Sequence, residues 1–292
     1  NYVTVKNEGN FPNCPDTIRI RVEGTEDYEF VAGDAVQDNT VKFEQPAVPA
    51  ETDEEAMARI RERFDILHEM TKAAVSGSIR AMIVSGPPGV GKSYGVEQEI
   101  DKACLFDKLA GKRLRAEVVK GSATPIGLYQ TLYKYSDENC VVVFDDCDSI
   151  LLDDVSLNLL KGALDSYSKR VITWSTAIRD DDIPRSFRFE GGVIFVSNMT
   201  RNRIDQAVRS RSINVDLSMT TDQKLDRMEV LIAEDEFLPE IGTNYKQLAL
   251  EIIREVKDKA REINLRTLIS VTKVLHSDNP RAVDMAKYMI CN

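Results

Sequence analysis

The chain has 292 residues, of which 42% are hydrophobic, and its formal net charge at pH 7 is −10. The length suffices for one large domain or two smaller ones, and the acidic balance argues against a protein that coats nucleic acid with a basic face. With no apolar run of about 18 residues and with scattered cysteines, the sequence predicts neither a membrane span nor a disulfide framework, and it favours a reducing cytoplasm.

Residues 1–50 are predicted to form a small β-rich segment that ends in a linker. Residues 17–22 alternate polar and apolar side chains, as a half-buried strand does, and residues 28–31 are the candidate partner strand. The proline-containing run at 45–50 is typical of a linker. A helix should follow, with Thr52 as its N-cap. The apolar face of this helix comprises Met57, Ile60, Phe64 and Leu67.

Short apolar strands alternate with helices from residue 80 onward, as in a parallel sheet that is covered by helices on both faces. The predicted strands are 81–85, 115–119, 140–144, 193–197 and 213–217, and the predicted helices are 92–104, 124–134 and 155–167. Beyond Ser218 only helices are predicted, at 221–234, 245–262, 265–276 and 280–290. The chain therefore divides into an N-terminal segment (1–50), an α/β core (51–218) and a helical part (219–292).

The segment 86–93 has the sequence GPPGVGKS, which matches the pattern G-x-x-x-x-G-K-[ST]. It stands between a predicted buried strand and a predicted helix, where glycines let backbone N–H groups approach a phosphate chain. The helix N-terminus adds partial positive charge. Lys92 would reach the β- and γ-phosphates and Ser93 would ligate Mg²⁺. The motif predicts a nucleotide site, and the alternative is a glycine turn that binds nothing.

Two further apolar strands are each followed by polar residues. The strand at 141–144 delivers Asp145 and Asp146 at its carboxyl end, where ligands bind in open α/β sheets. Asp145 would hold Mg²⁺ through water, and Asp146 would deprotonate the attacking water; a strand ending in an acidic turn is the alternative. Asn198, after the next such strand, would hydrogen-bond that water or a γ-phosphate oxygen, unless it is a turn residue or a helix cap.

The order of these parts resembles the AAA+ ATPases, which are oligomeric P-loop motors and remodellers. GPPGVGKS is similar to their Walker A motif, VVVFDD to their Walker B motif, and VIFVSN to their sensor-1 strand. The stretch IDQAVRSR resembles the segment that ends in their arginine finger. The resemblance covers about residues 53–290 and includes residues 264–268, which resemble the start of the lid helix that carries the sensor-2 arginine.

This resemblance implies a three-layer α/β P-loop NTPase core with a parallel sheet and a C-terminal helical lid. It implies Mg²⁺-dependent hydrolysis of ATP by a homo-oligomer, a ring or helical assembly that the resemblance makes a hexameric ring. The lack of a long apolar run predicts no membrane association. The residues that it assigns to ATP are Gly86, Pro87, Pro88, Gly89, Val90, Gly91, Lys92, Ser93 and Tyr94.

The resemblance also assigns roles to individual polar residues. Mg²⁺ falls to Ser93 and Asp145, the general base to Asp146, and sensor 1 to Asn198. The finger is Arg211, with Arg209 second, and sensor 2 is Arg266; arginine stays charged and offers a planar fork to a phosphoryl group in transfer.

These assignments have alternatives. Arg209 and Arg211 would also serve as surface or interface ion pairs, and Arg266 would pair equally well with Glu262. The family usually has Asp-Glu where this chain has two aspartates, and Asp146 reaches less far toward a water. Slow turnover or a binding-only ATPase is therefore an alternative, with Asp148 as a reserve candidate for the base.

Two segments are candidates for contact with a macromolecular substrate. Residues 170–175 and 185–190 predict an inserted β-hairpin, which resembles one that often faces the central pore in a large branch of the family. Its candidate nucleic-acid contacts are Arg179, Arg185 and Arg188 with Trp174 or Phe187. Three consecutive aspartates at 180–182 argue against that role, and an extra hairpin with a packed Trp174 is favoured.

The second candidate is the pair Tyr129 and Tyr133, one turn apart in a helix that Thr124 and Pro125 begin. Relatives that thread proteins have an aromatic residue near this position, although simple packing is the favoured interpretation. The acidic net charge tilts the prediction slightly toward a motor that remodels or threads protein. A nucleic-acid motor or loader and a low-turnover assembly scaffold are the alternatives.

Overall fold

The computed structural model describes residues 2–6, 17–21, 53–167, 169–175, 183–277 and 279–292. They belong to two compact units, 1–49 and 50–292. In the first unit, β1 (Tyr2–Lys6) pairs antiparallel with β2 (Thr17–Arg21), which confirms the strand predicted at 17–22. The partner predicted at 28–31 and the predicted N-cap Thr52 lie outside the described residues.

The second unit contains a parallel sheet with helices between its strands. Its first half comprises α1 (Asp53–Val75), β3 (Ala81–Ser85), α2 (Lys92–Leu109), β4 (Ala116–Lys120), α3 (Pro125–Lys134), β5 (Val141–Asp145) and α4 (Asp154–Ala163). After these come β6 (Val171–Thr173), β7 (Ser186–Arg188), β8 (Gly192–Ser197), α5 (Gln206–Ser210) and β9 (Ile213–Asp216). Within the described residues, the sheet has the strand order β4-β5-β8-β3-β9.

The sheet is buried on both faces, so β3, β5 and β8 are continuous apolar runs. On one face α3 and α4 contribute leucines that pack with Phe144 and Phe195, whose stacked rings lie 5.9 Å apart. On the other face α1 and α2 pack their apolar sides, including the predicted Ile60, Phe64 and Leu67. The expected three-layer α/β architecture is confirmed.

The register of the sheet gathers its polar strand ends at one edge. Ser85 of β3 lies opposite Ser197 of β8, and Val196 of β8 lies opposite Asp145 of β5. The residues that follow β3, β5 and β8 therefore meet where ligands bind in open parallel sheets.

The predicted inserted hairpin is present, and its aromatic residues are packing residues. β6 and β7 pair antiparallel, and Phe187 is buried. The ring of Tyr129 lies 5.0 Å from that of Phe187 and 5.9 Å from that of Trp174, and Tyr133 packs at 5.3 Å from Phe187. Phe187 and Tyr129 are buried and are therefore not accessible to bases or to a polypeptide, whereas Trp174 is half-buried and Tyr133 is exposed. Arg179 lies outside the described residues.

The helices after β9, here called the lid, are α6 (Thr221–Ile232), α7 (Thr243–Glu255), α8 (Leu265–Leu275) and α9 (Ala282–Cys291). They have a hydrophobic cluster of their own. α7 ends earlier than the predicted 262 because the chain must extend to bury Ile263 and to place Asn264 as the N-cap of α8. In the part of the chain that the structure describes, no helix has the length and apolar character to cross a membrane.

Candidate active site

The loop between β3 and α2 has a backbone that only glycine adopts readily. Gly86, Gly89 and Gly91 have φ values of +150°, +70° and +100°. A Cβ on Gly86 would lie 3.0 Å from the Leu217 carbonyl carbon. The N-cap position of α2 is Gly91, which offers no side-chain cap, and the first turn of α2 carries no acidic residue. The backbone N–H groups at this helix end therefore suit a phosphate chain.

Lys92 lies at the centre of the site. Its side chain is buried, and its Nζ donates to the carbonyl oxygens of Gly86 and Pro87 and to Oδ1 of Asn198, each at 2.8 Å. Burial lowers the pKa of the Lys92 ammonium to about 8, while the carboxylates of Asp146 and Asp145 oppose that shift. The amine thus joins the glycine loop to the end of β8.

Ser93 and Asp145, the two predicted Mg²⁺ ligands, lie together. Ser93 Oγ donates to Asp145 Oδ1 at 2.8 Å. Burial raises the pKa of the Asp145 carboxyl, and the hydrogen bond from Ser93 opposes that change. Lys120, at the end of β4, lies 3.9 Å from Asp145 Oδ2 and 2.6 Å from Glu97 Oε1. A hydroxyl and a carboxylate side by side are oxygen ligands that fit Mg²⁺.

Asp146 and Asn198 form the other half of the site. Asp146 has φ +53°, unusual for a residue with a side chain, and its N–H donates to Val196 O at 3.0 Å. Asn198 Nδ2 donates to Asp146 Oδ1 at 2.7 Å while its Oδ1 accepts from Lys92. The Asn198 side chain therefore links the loop lysine to the second aspartate.

Asp148, the reserve candidate for the base, is engaged elsewhere. Its Oδ1 accepts a hydrogen bond of 2.5 Å from Ser197 Oγ. The contact with Ser197 is one that the sequence analysis did not anticipate, because Asp148 and Ser197 are distant in the chain.

The three predicted arginines lie at two places: Arg209 and Arg211 at the end of α5, and Arg266 in α8. Arg209 is half-buried on α5, and Arg211 follows that helix and donates from Nη1 to Ala207 O at 3.0 Å. Arg266 is exposed in the first turn of α8, and its charge contributes to lowering the pKa of Lys92. Glu262, its expected alternative partner, instead accepts from Asn264 Nδ2 at 2.9 Å.

The glycine loop also contacts the start of α8, a contact that sequence reasoning missed. Leu265 N donates to Gly89 O at 2.9 Å, and a Cβ on Gly89 would lie only 2.7 Å from Asn264 Cγ. The sequence does signal Asn264 as an N-cap, but nothing local indicates its partner on the loop. Of the other residues assigned to ATP, Val90 is buried, whereas Tyr94 is exposed and its hydroxyl accepts from Gln98 at 3.2 Å.

The chain is similar to a known protein family and to a phage protein. A family model described as "ATPase family associated with various cellular activities (AAA)" matches residues 82–214. A protein of Enterobacteria phage T4, described as an uncharacterized 36.7 kDa protein in the nrdC–mobD intergenic region, is 30% identical over 244 residues. The match covers 78% of this chain and 73% of the phage protein.

Solved structures to which the chain is similar include a RuvB mutant of Thermotoga maritima. It is 14% identical, with 82% of this chain and 72% of that chain covered and a TM-score of 0.49. Domain III of the T. maritima replication initiation protein DnaA is 10% identical, with 80% and 92% covered and a TM-score of 0.48.

The matched family model spans the region that carries most of the site. It begins within β3, includes the glycine loop, the paired aspartates and Asn198, and ends within β9. Together with the parallel sheet, this match identifies the chain as a member of the AAA+ family of P-loop ATPases.

Proposed function

We propose that the chain hydrolyses ATP in an Mg²⁺-dependent reaction at the edge where β3, β5 and β8 end. The observation that carries this proposal is the continuous hydrogen-bonded connection from Lys92 through Asn198 to Asp146, beside the Ser93–Asp145 pair. It brings the Lys92 ammonium, a candidate base and two candidate Mg²⁺ ligands to one end of the glycine loop.

The residues would divide the chemistry as follows. The N–H groups at the start of α2 and the Lys92 ammonium would bind the phosphates. Mg²⁺, held by Ser93 and Asp145, would neutralise phosphate charge. Asp146 would accept a proton from water as the water oxygen bonds to the γ-phosphorus and the bond from that phosphorus to the bridging oxygen breaks. Asn198 donates to Asp146 Oδ1, so Oδ2 would be the less crowded acceptor for the water.

Nucleotide binding tests the first part of this proposal. Lys92→Ala should abolish binding of ATP, because it removes the cation that lies against the loop carbonyls. Lys112→Ala, in the turn after α2, is the matched control and should bind like the wild type. Retained tight binding by Lys92→Ala would refute the phosphate-loop assignment.

We further propose that subunits assemble into a ring, a hexamer, in which Arg211 acts on the ATP of a neighbour. The position of Arg211 beyond α5, a helix separate from the glycine loop, supports a role outside its own site. Arg211→Ala should bind ATP without hydrolysing it, and mixing it with Lys92→Ala subunits should restore some turnover. Failure of that mixing would count against action in trans.

For the macromolecule on which the ATPase acts, we propose a protein. The net charge of −10 supports this, since a nucleic-acid motor needs a basic path. The buried Phe187 supports it as well, because it removes a candidate base-stacking residue. Unfolded protein should stimulate ATP turnover; stimulation by single- or double-stranded DNA instead would overturn this part. Nucleotide-dependent oligomers without turnover would favour the scaffold alternative.

A further inference from the structure

We propose that Asp148 is a positioning residue for ATP hydrolysis: through Ser197 it holds the turn that presents Asn198 to Lys92 and Asp146. This inference rests on the proposed ATPase reaction. It gives a role to a carboxylate that the proposed chemistry does not otherwise use.

The first support is the environment of the Ser197 hydroxyl. Ser197 is the last residue of β8 and is fully buried. Its Oγ donates to Asp148 Oδ1 at 2.5 Å and accepts from Met199 N at 3.0 Å. Asn198 lies between Ser197 and Met199 in the chain, so the Ser197 hydroxyl closes the turn around Asn198. The carboxylate of Asp148 orients that hydroxyl.

The second support is the orientation that Asn198 must keep. Its Oδ1 lies 2.8 Å from the Lys92 ammonium and its Nδ2 lies 2.7 Å from the Asp146 carboxylate. Reversing the amide would set the amide NH₂ against the ammonium and the amide oxygen against the carboxylate. Both contacts therefore depend on the direction in which the turn presents Asn198, and a fixed Ser197 would keep that direction.

The third support is that the segment 146–148 contains both the candidate base, Asp146, and the residue that holds Ser197, which is Asp148. Asp146 N donates to Val196 O, and Asp148, two residues later, accepts from Ser197. Between them, the Cys147 thiol donates to Val119 O of β4 at 3.3 Å. Residues 146–148 are thus fastened to the strands on either side, and a hydrogen bond to a carboxylate is the strongest kind available for that purpose.

The experiment compares Asp148→Ala with Asp148→Asn, measuring kcat for ATP and the Kd of ATP. Asp148→Ala should lower kcat about tenfold or more, as expected for a displaced catalytic group, with little change in Kd. Asp148→Asn keeps an acceptor oxygen and should recover most of kcat. If Asp148 were instead the base, the Asn variant would be as inactive as the Ala variant, and the proposal would be wrong.

Coupling to Asn198 provides the second readout. If Asp148 acts through Asn198, then Asp148→Ala should add almost no further loss of kcat to Asn198→Ala, whereas independent roles would give multiplied losses. Ser197→Ala breaks the same link from the other side and should reproduce Asp148→Ala, which covers the case of a variant that fails to fold. Asp154→Ala, on the exposed first turn of α4, is the control with unchanged kcat.

The outcomes separate this inference from the proposed function. A wild type with no ATP turnover overturns both. A wild type that turns over ATP together with a fully active Asp148→Ala overturns only the role of Asp148.

Discussion

The contact between the glycine loop and the lid can be tested by one added methyl group, in Gly89→Ala. Gly89 has φ +70°, and its carbonyl accepts a hydrogen bond from Leu265 N at 2.9 Å. An alanine Cβ there would lie 2.7 Å from Asn264 Cγ and 2.8 Å from Asn264 Cβ. Real Cβ atoms do not approach other atoms so closely, so either Asn264 or the loop must shift.

The magnitude follows from two separate costs. An alanine in the left-handed region costs about 1–2 kcal/mol in the free energy of unfolding. Moving Asn264 also endangers its cap hydrogen bond from Thr267 N, which contributes about 1 kcal/mol. Gly111 has φ +60° and nothing within 4 Å of its added Cβ, so Gly111→Ala carries only the first cost. Gly89→Ala should therefore be less stable than Gly111→Ala by about 1 kcal/mol.

The functional consequence should appear in nucleotide affinity. We expect Gly89→Ala to raise the Kd of a fluorescent ATP analogue about tenfold, equivalent to about 1.4 kcal/mol, and Gly111→Ala to leave it unchanged. Urea unfolding of both variants gives the matching stabilities. Adding Asn264→Gly to Gly89→Ala removes the clashing atoms at little capping cost and should restore affinity. Equal affinity in Gly89→Ala and Gly111→Ala, or no recovery in the double variant, would show that the contact between Gly89 and Asn264 does not affect nucleotide binding.

Three further predictions concern packing and capping. Phe195→Ala should lower the free energy of unfolding by about 3–5 kcal/mol in urea titrations, because the Phe195 ring is buried. Phe106 is 77% exposed, so Phe106→Ala should stay within about 0.5 kcal/mol of the wild type. Tyr129→Phe loses the hydrogen bond that the Tyr129 hydroxyl donates to the Pro184 carbonyl oxygen at 2.8 Å, and it should lower the free energy of unfolding by about 1 kcal/mol in the same assay. Tyr167→Phe, at a side chain that is 76% exposed, should leave the stability unchanged. Asp205→Ala removes the N-cap of α5 and should lower ATP turnover without changing the Kd of ATP. Asp205→Asn keeps the cap and should behave like the wild type. Equal turnover by the two variants would contradict a role of α5 in ATP hydrolysis.

Local patterns were enough to predict the strands of the parallel sheet and the glycine loop, whereas β1 at Tyr2–Lys6 was not predicted. The strand at 81–85 was predicted with correct bounds because all five of its residues are apolar or small. In the structure all five are buried. The gathering of polar residues at one sheet edge also followed, since alternating strands and helices imply a parallel sheet. Helix ends were harder to predict. α2 continues to Leu109, whereas the prediction ended at 104. The prediction stopped early because the last turns carry exposed apolar residues such as Phe106, which break the amphipathic pattern.

The contacts that organise the site could not be predicted, because they join residues far apart in the sequence. Lys92 and Asn198 were each singled out, yet nothing local indicates that their side chains bond. The same is true of Asp148 with Ser197 and of Gly89 with Asn264. For Trp174, the packing interpretation favoured from sequence is the one that the structure supports, since this side chain packs against the cluster beneath α3.

The most direct test of ATP hydrolysis with Asp146 as the base is phosphate release from ATP by the wild type and by Asp146→Asn, each with ATP binding measured in parallel. The wild type should release phosphate in the presence of Mg²⁺, and Asp146→Asn should bind ATP normally but release almost none. Asn keeps the shape of the side chain and loses the ability to accept the proton. Wild-type turnover by Asp146→Asn would contradict the assignment of the base, and a wild type that binds ATP without releasing phosphate would contradict the proposed reaction itself.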